Sequence, residues 1–91
     1  MNSLNSEIHA LARYVEVSEN ELRVKLADGR TLSVPLVWFP RLLSANASTR
    51  SHWELLGDGE GIHWPDADED ISVAGLLAGQ KGTGGQVNGA A

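Results

Sequence analysis

Cysteine is absent from the 91 residues, which excludes disulfide staples, thiolate-held zinc, iron–sulfur clusters and thiol nucleophiles. A domain this short without disulfides suits a reducing compartment, so the cytoplasm is the expected location. Long apolar runs are missing too. None approaches the roughly 18 residues needed to cross a bilayer, and the opening stretch MNSLNSEIHALARY has no basic segment followed by an apolar one. Neither a signal peptide nor a membrane span is expected. Positive charge is scarce: 7 Lys and Arg stand against 12 Asp and Glu, a net charge of −5. Arg13, Arg23, Lys25, Arg30, Arg41 and Arg50 are scattered among acidic or apolar neighbours. Such a chain repels phosphate backbones and acidic membranes, so direct binding to nucleic acid or membrane is not expected.

The apolar residues that are present concentrate before position 80, which predicts one α+β domain over residues 1–79 and a glycine-rich flexible tail over 80–91, QKGTGGQVNGAA. Within the domain, Leu22, Val24 and Leu26 alternate with Arg23 and Lys25, the period of a half-buried strand. The segment before it, Ala10 to Val17, pairs with it across the polar turn Ser18 to Glu21. Asp28-Gly29 then turns the chain into a third alternating run, Thr31 to Leu36. Pro35 belongs at a strand end or edge, because it has no donor for a ladder. Pro40 suits the first turn of a short helix carrying Leu42 and Leu43. A second short helix, capped by Asn46 or Ser48, is expected to run to about Glu54 and bring Trp53 to the core. Gly57 to Gly61 makes a turn, Ile62-His63-Trp64 a short extended segment, Asp66 to Asp70 an acidic loop, and Ile71 to Leu77 a last helical turn with Ser72 as cap and Gly79 as stop. The fold class expected is a small antiparallel β-meander of three to four strands with short helices packed on one face.

Few residues stand in a pattern that carries chemistry. Asp66, Asp68 and Asp70 alternate as the first ligands of a calcium loop do, but Ile71 and Leu77 occupy the positions where that loop needs Gly and a bidentate Glu. No metal or other cofactor is expected. His9, His52 and His63 lie too far apart for a local metal motif, and His63 with Asp68 or Glu69 is the pair that folding could turn into a general base. No serine sits in a nucleophile elbow, and GDGEG is too acidic to cradle phosphate. Asn46-Ala47-Ser48 fits a glycosylation acceptor but lacks a secretory context. No catalytic residue is assigned and the chain is not expected to be an enzyme. Three tryptophans, Trp38, Trp53 and Trp64, are many beside one Phe and one Tyr. At least two belong in the core, and Trp38 or Trp64 beside Arg41 is the pair to expect at a partner-facing surface.

The landmarks DGRTLSVPLVWFPRLL and RSHWELLGDGEGIHWPDADEDISVAGLLAG resemble the small bacterial family known as domain of unknown function 2442, from about Val15 to Gly79. The most specific pieces are Asp28-Gly29-Arg30, the Pro35 to Leu42 stretch, Gly61 to Pro65, and Asp68 to Ile71 with Leu76-Leu77. The resemblance implies a small antiparallel sheet with short helices. It also implies a short protein encoded beside another small one, in the manner of a toxin–antitoxin pair. Some members carry a helix-turn-helix after this module, and Gln80 to Ala91 is too short to supply one.

The expected function is therefore protein interaction, as the acidic antitoxin-like half of a pair. A small basic partner would meet Trp38, Arg41, His63, Trp64, Asp68, Glu69 and Asp70. Two alternatives stand beside it: a small-ligand domain with a tryptophan-lined pocket, and a homo-oligomer formed through an uncovered sheet edge.

Overall fold

A computed structural model of the chain describes residues 10–82. The alternation of Leu22, Val24 and Leu26 organises its first layer. In strand β2 (Glu21–Leu26) these three are buried while Glu21, Arg23 and Lys25 face solvent. β2 is the centre of an antiparallel meander flanked by β1 (Ala12–Val17) and β3 (Thr31–Pro35). The Ser18 hydroxyl closes the first hairpin by accepting the Glu21 N–H at 3.1 Å. In the second, Gly29 takes φ +98° and the Asp28 carboxylate accepts the Arg30 N–H at 3.0 Å. Pro35 ends β3, an edge strand, as its missing donor requires.

A 3-10 turn over Leu36–Trp38 leads into two short helices, α1 (Pro40–Leu43) and α2 (Ala47–Ser51). Of the two expected caps for α2 it is Asn46 that serves, its Oδ1 accepting the Thr49 N–H at 2.8 Å. A second antiparallel meander follows, with β5 (Gly61–Trp64) between β4 (Glu54–Leu56) and β6 (Glu69–Ser72). Helix α3 (Val73–Leu77) comes last, capped by the Ser72 hydroxyl, which accepts the Gly75 N–H at 2.8 Å. Gly79 turns with φ +80° just past its end.

The fold is α+β as expected, but among the described residues the strands number six in two sheets. Two elements differ from expectation for the same reason. The expected second helix stops at Ser51, and Glu54–Leu56 is a strand, because the tight turn after Gly57 folds it back on β5. The expected acidic loop ends at Asp68, and Glu69 to Ser72 pairs with β5 instead of opening a helix at Ile71. In both places pairing with β5 overrides weak local preference.

One core serves both sheets. Ile62, Trp64, Ile71 and Val73 pack with Leu22, Val24, Leu36 and Leu42 in a single buried cluster. Trp64 is fully buried, and its indole N–H donates to the Arg50 carbonyl at 3.1 Å, which satisfies the one polar atom that such burial would otherwise strand. The sheets are also joined by backbone. The Ala12 N–H donates to Gly59 O at 2.8 Å, while the Val73 N–H, donating to Glu60 O at 2.9 Å, prolongs the pairing of β5 with β6. Of the glycine-rich segment, residues 80–82 run against the domain: the Gln80 N–H donates to Gly75 O and the Gly82 N–H to Trp38 O. The remainder of the expected tail, like His9, lies outside the described residues.

Candidate functional site

The period of β6 decides which acids face inward. Glu69 and Ile71 are buried, whereas Asp70 and Ser72 are exposed. Asp68, just before the strand, takes φ +54°, the one positive value among described non-glycine residues, and it is a conformation a short polar side chain tolerates. The turn it completes directs the Asp68 carboxylate to solvent, where its side chain is 95% exposed. The Glu69 side chain keeps only 7% of its exposure.

Glu69 lines a cleft of about 520 Å³, with Phe39 and Arg41 on one side and the Gln80–Gly82 segment on another. Among the described residues no donor hydrogen-bonds its carboxylate. Arg41 Nη1 stands 3.9 Å from Glu69 Oε1 but gives its hydrogen bond to the Asp68 carbonyl at 2.5 Å. Lys81 is drawn away over the Trp38 ring, 5.1 Å from its centroid. Burial pushes the Glu69 carboxyl above the ordinary carboxylate range, against the opposing pull of Arg41, while the neighbouring Asp70 and Asp68 add to the rise. The chain passes close over this carboxylate at Gly82, where a Cβ would fall 2.8 Å from Phe39 Cδ1 and 3.2 Å from Glu69 Oε2.

His63 is placed by register rather than by sequence proximity. It lies opposite Asp70 on one side and Glu54 on the other, and its Nδ1 hydrogen-bonds Asp70 Oδ1. The expected partners Asp68 and Glu69 are therefore not the ones it takes, because Glu69 lies opposite Trp64 and faces inward. The hydrogen bond to Asp70 raises the His63 pKa above its ordinary 6.5, against a lowering by burial and with further help from Asp70, Glu54 and Asp68 charges. A histidine whose folded pKa is raised contributes stability below its unfolded pKa and loses it as pH rises through the folded value. Asp70→Asn should lower the His63 pKa in an NMR titration. The wild type's advantage in urea midpoint over this variant should be present near about pH 6 and fade above the raised value. An unchanged His63 titration would remove the pair.

The sequence-predicted residues thus separate into groups. Arg41, Asp68, Glu69 and Asp70 line the cleft, and Trp38 borders it by holding Gly82 and Lys81. His63 is not among the lining residues. Trp64 is a correction: it is core, not surface, since β5 turns it inward opposite Glu69. The tryptophan-lined pocket is a second correction. Trp53 stacks edge-on against Tyr14 with centroids 5.7 Å apart, Trp64 is buried, and Trp38 lies elsewhere, so the three surround no common cavity. Ser72, Gln80, Lys81 and Gly82 join the cleft unforeseen. The alternation of Glu69, Ile71 and Val73 is the signal in the sequence that could have placed Glu69 inside. Among the described residues no group of three or more His, Asp or Glu could hold a metal ion, and no helix is long and apolar enough to cross a membrane.

Two small antiparallel meanders sharing one core, with an acidic cleft at the edge of the second, define the class of domain. The chain belongs to the family described as "Protein of unknown function (DUF2442)", whose model matches residues 12–82. The matched span includes Gly82, which closes over the cleft. A crystal structure of a protein of unknown function from Rhodospirillum rubrum is similar at 33% identity and TM-score 0.68, covering 80% of this chain and 90% of that one. The solution structure of an uncharacterized protein from Chromobacterium violaceum matches at TM-score 0.71 and 23% identity, over 88% of this chain and 75% of that one, a likeness of fold alone. No curated protein matches the chain.

Proposed function

We propose that the protein is an interaction module, not an enzyme, and that its acidic cleft engages a small basic protein as the antitoxin-like half of a pair. The observation that carries this reading is Glu69: a carboxylate held inside a cleft without a hydrogen-bond donor among the described residues is costly in the free protein and gains from a cation brought by a partner. Asp68 and Asp70 at the rim, and a net charge of −5, supply the field that speeds encounter with such a partner.

Rim charges act chiefly on association rate. Asp68→Asn with Asp70→Asn should slow association with the basic partner by about tenfold at low salt, and the difference should shrink as added salt screens the wild-type attraction. Stopped-flow mixing at two ionic strengths reads this directly. Equal rates for wild type and double variant at low salt would remove the acidic rim from the mechanism.

A further inference from the structure

The cleft is more selective than an acidic patch, because its innermost acid has a defined place and an unmet hydrogen-bonding capacity. Both carboxylate oxygens of Glu69 accept nothing from the described residues, and the side chain is more than nine-tenths buried. Neither neighbouring cation hydrogen-bonds it: Arg41 Nη1 stands 3.9 Å from Oε1 and donates to the Asp68 carbonyl, and Lys81 lies over the Trp38 face. A cleft of about 520 Å³ lies in the range of sites that enclose a small group. Phe39 offers an apolar wall and Ser72 a hydroxyl, while the Asp70 carboxylate turns to His63.

Resting on the reading of the protein as a module for a basic partner, we propose that the Glu69 cleft is a receptor for one arginine side chain of that partner. A planar guanidinium presents two parallel N–H groups to the two oxygens of one carboxylate. A remaining N–H group reaches outward to the Ser72 hydroxyl, and the weakly hydrated plane of the guanidinium packs on an apolar wall such as Phe39. An ammonium lacks this fork and is more strongly hydrated, so lysine is the poorer occupant. Anions are excluded because three acids, Asp68, Glu69 and Asp70, outnumber Arg41 and Lys81 around the space. Occupation also opposes the rise that burial imposes on the Glu69 pKa, since a buried carboxylate beside a cation is stabilised in its charged form.

The test uses the full chain and a capped Gly-Arg-Gly peptide, followed by NMR. The expected result is saturable shifts of the amides of Phe39, Ser72 and Gly82 with a dissociation constant in the millimolar range, and a fall in the Glu69 carboxyl pKa. The same peptide with citrulline should leave the spectrum unmoved, and the lysine peptide should bind several-fold more weakly. Glu69→Gln preserves shape and should weaken arginine-peptide binding by at least about tenfold, its folding being confirmed by an otherwise superimposable spectrum. Free arginine binding at least about tenfold more tightly than the peptide would overturn the assignment to a partner's side chain. Equal binding of the arginine peptide by wild type and Glu69→Gln, or no saturable shift at all, would overturn the receptor itself. The two readings separate cleanly. If Glu69→Gln still retains the basic partner as wild type does, the arginine receptor fails and the interaction module stands. If wild type retains no partner yet binds the peptide through Glu69, the pair fails and the cation site stands.

Discussion

Replacing Trp64 with alanine should cost about 3–5 kcal/mol. The indole is fully buried at the centre of the shared cluster, and its removal deletes the largest contact area there while opening a cavity that short strands cannot collapse around. It also strands the Arg50 carbonyl, whose partner is the indole N–H at 3.1 Å, and an unmet buried carbonyl adds to the loss. A domain of this length has about 5–10 kcal/mol of stability in all, so one such loss takes a large fraction. Urea unfolding followed by far-UV circular dichroism should show the midpoint collapsing for Trp64→Ala and falling less for Trp64→Phe, which keeps much of the volume. A Trp64→Ala protein within about 1 kcal/mol of wild type would mean that Trp64 is not the core residue described above.

Gly59→Ala should cost about 3 kcal/mol or more, for a different reason. Gly59 adopts φ +110°, where an L side chain is strained, and the added Cβ would fall 2.4 Å from Ala12 O and 3.0 Å from Ala12 N. Those are backbone atoms and cannot rotate aside. Relief requires β1 to move away from the β4–β5 turn, which breaks the Ala12 N–H to Gly59 O bond that ties the two sheets. Arg13, whose Nη1 donates to the Asp58 carbonyl at 2.7 Å, would be displaced with it. Thermal unfolding should drop by more than about 10 °C, whereas Gly29→Ala, strained in φ but open in space, should lose much less. Similar losses at the two positions would show that backbone strain alone, not the junction, sets the cost.

The first meander is legible because each strand carries its own evidence: Leu22, Val24 and Leu26 alternate, and Asp28-Gly29 marks a tight turn. Ser72 as a cap and Gly79 as a stop are legible for the same local reason. The second meander is not, since Glu54–Leu56 spans three residues, too few to show a period, and becomes a strand only by pairing with β5. Glu69 illustrates the limit at the site. Five acidic or small residues in a row read as a solvated loop, and the short alternation of Glu69, Ile71 and Val73 is outweighed by them until β5 pairs with Glu69 to Ser72 and turns one acid inward. His63 and Asp70 are seven residues apart and meet by register alone. Trp38 and Arg41 near the acidic segment are foreseeable from composition, but the closure of Gln80 to Gly82 over them depends on two backbone bonds, to Gly75 O and Trp38 O.

Affinity purification of the tagged protein at native level from its own host, run in parallel with Glu69→Gln and with Asp68→Asn plus Asp70→Asn, puts the acidic cleft to the test. The expected result is a single small basic chain in equal amount with the wild type at moderate salt, depleted from both variants and released as salt is raised. A wild type that returns alone, or a partner held equally by all three proteins, would contradict a cleft built to receive a cation from another protein.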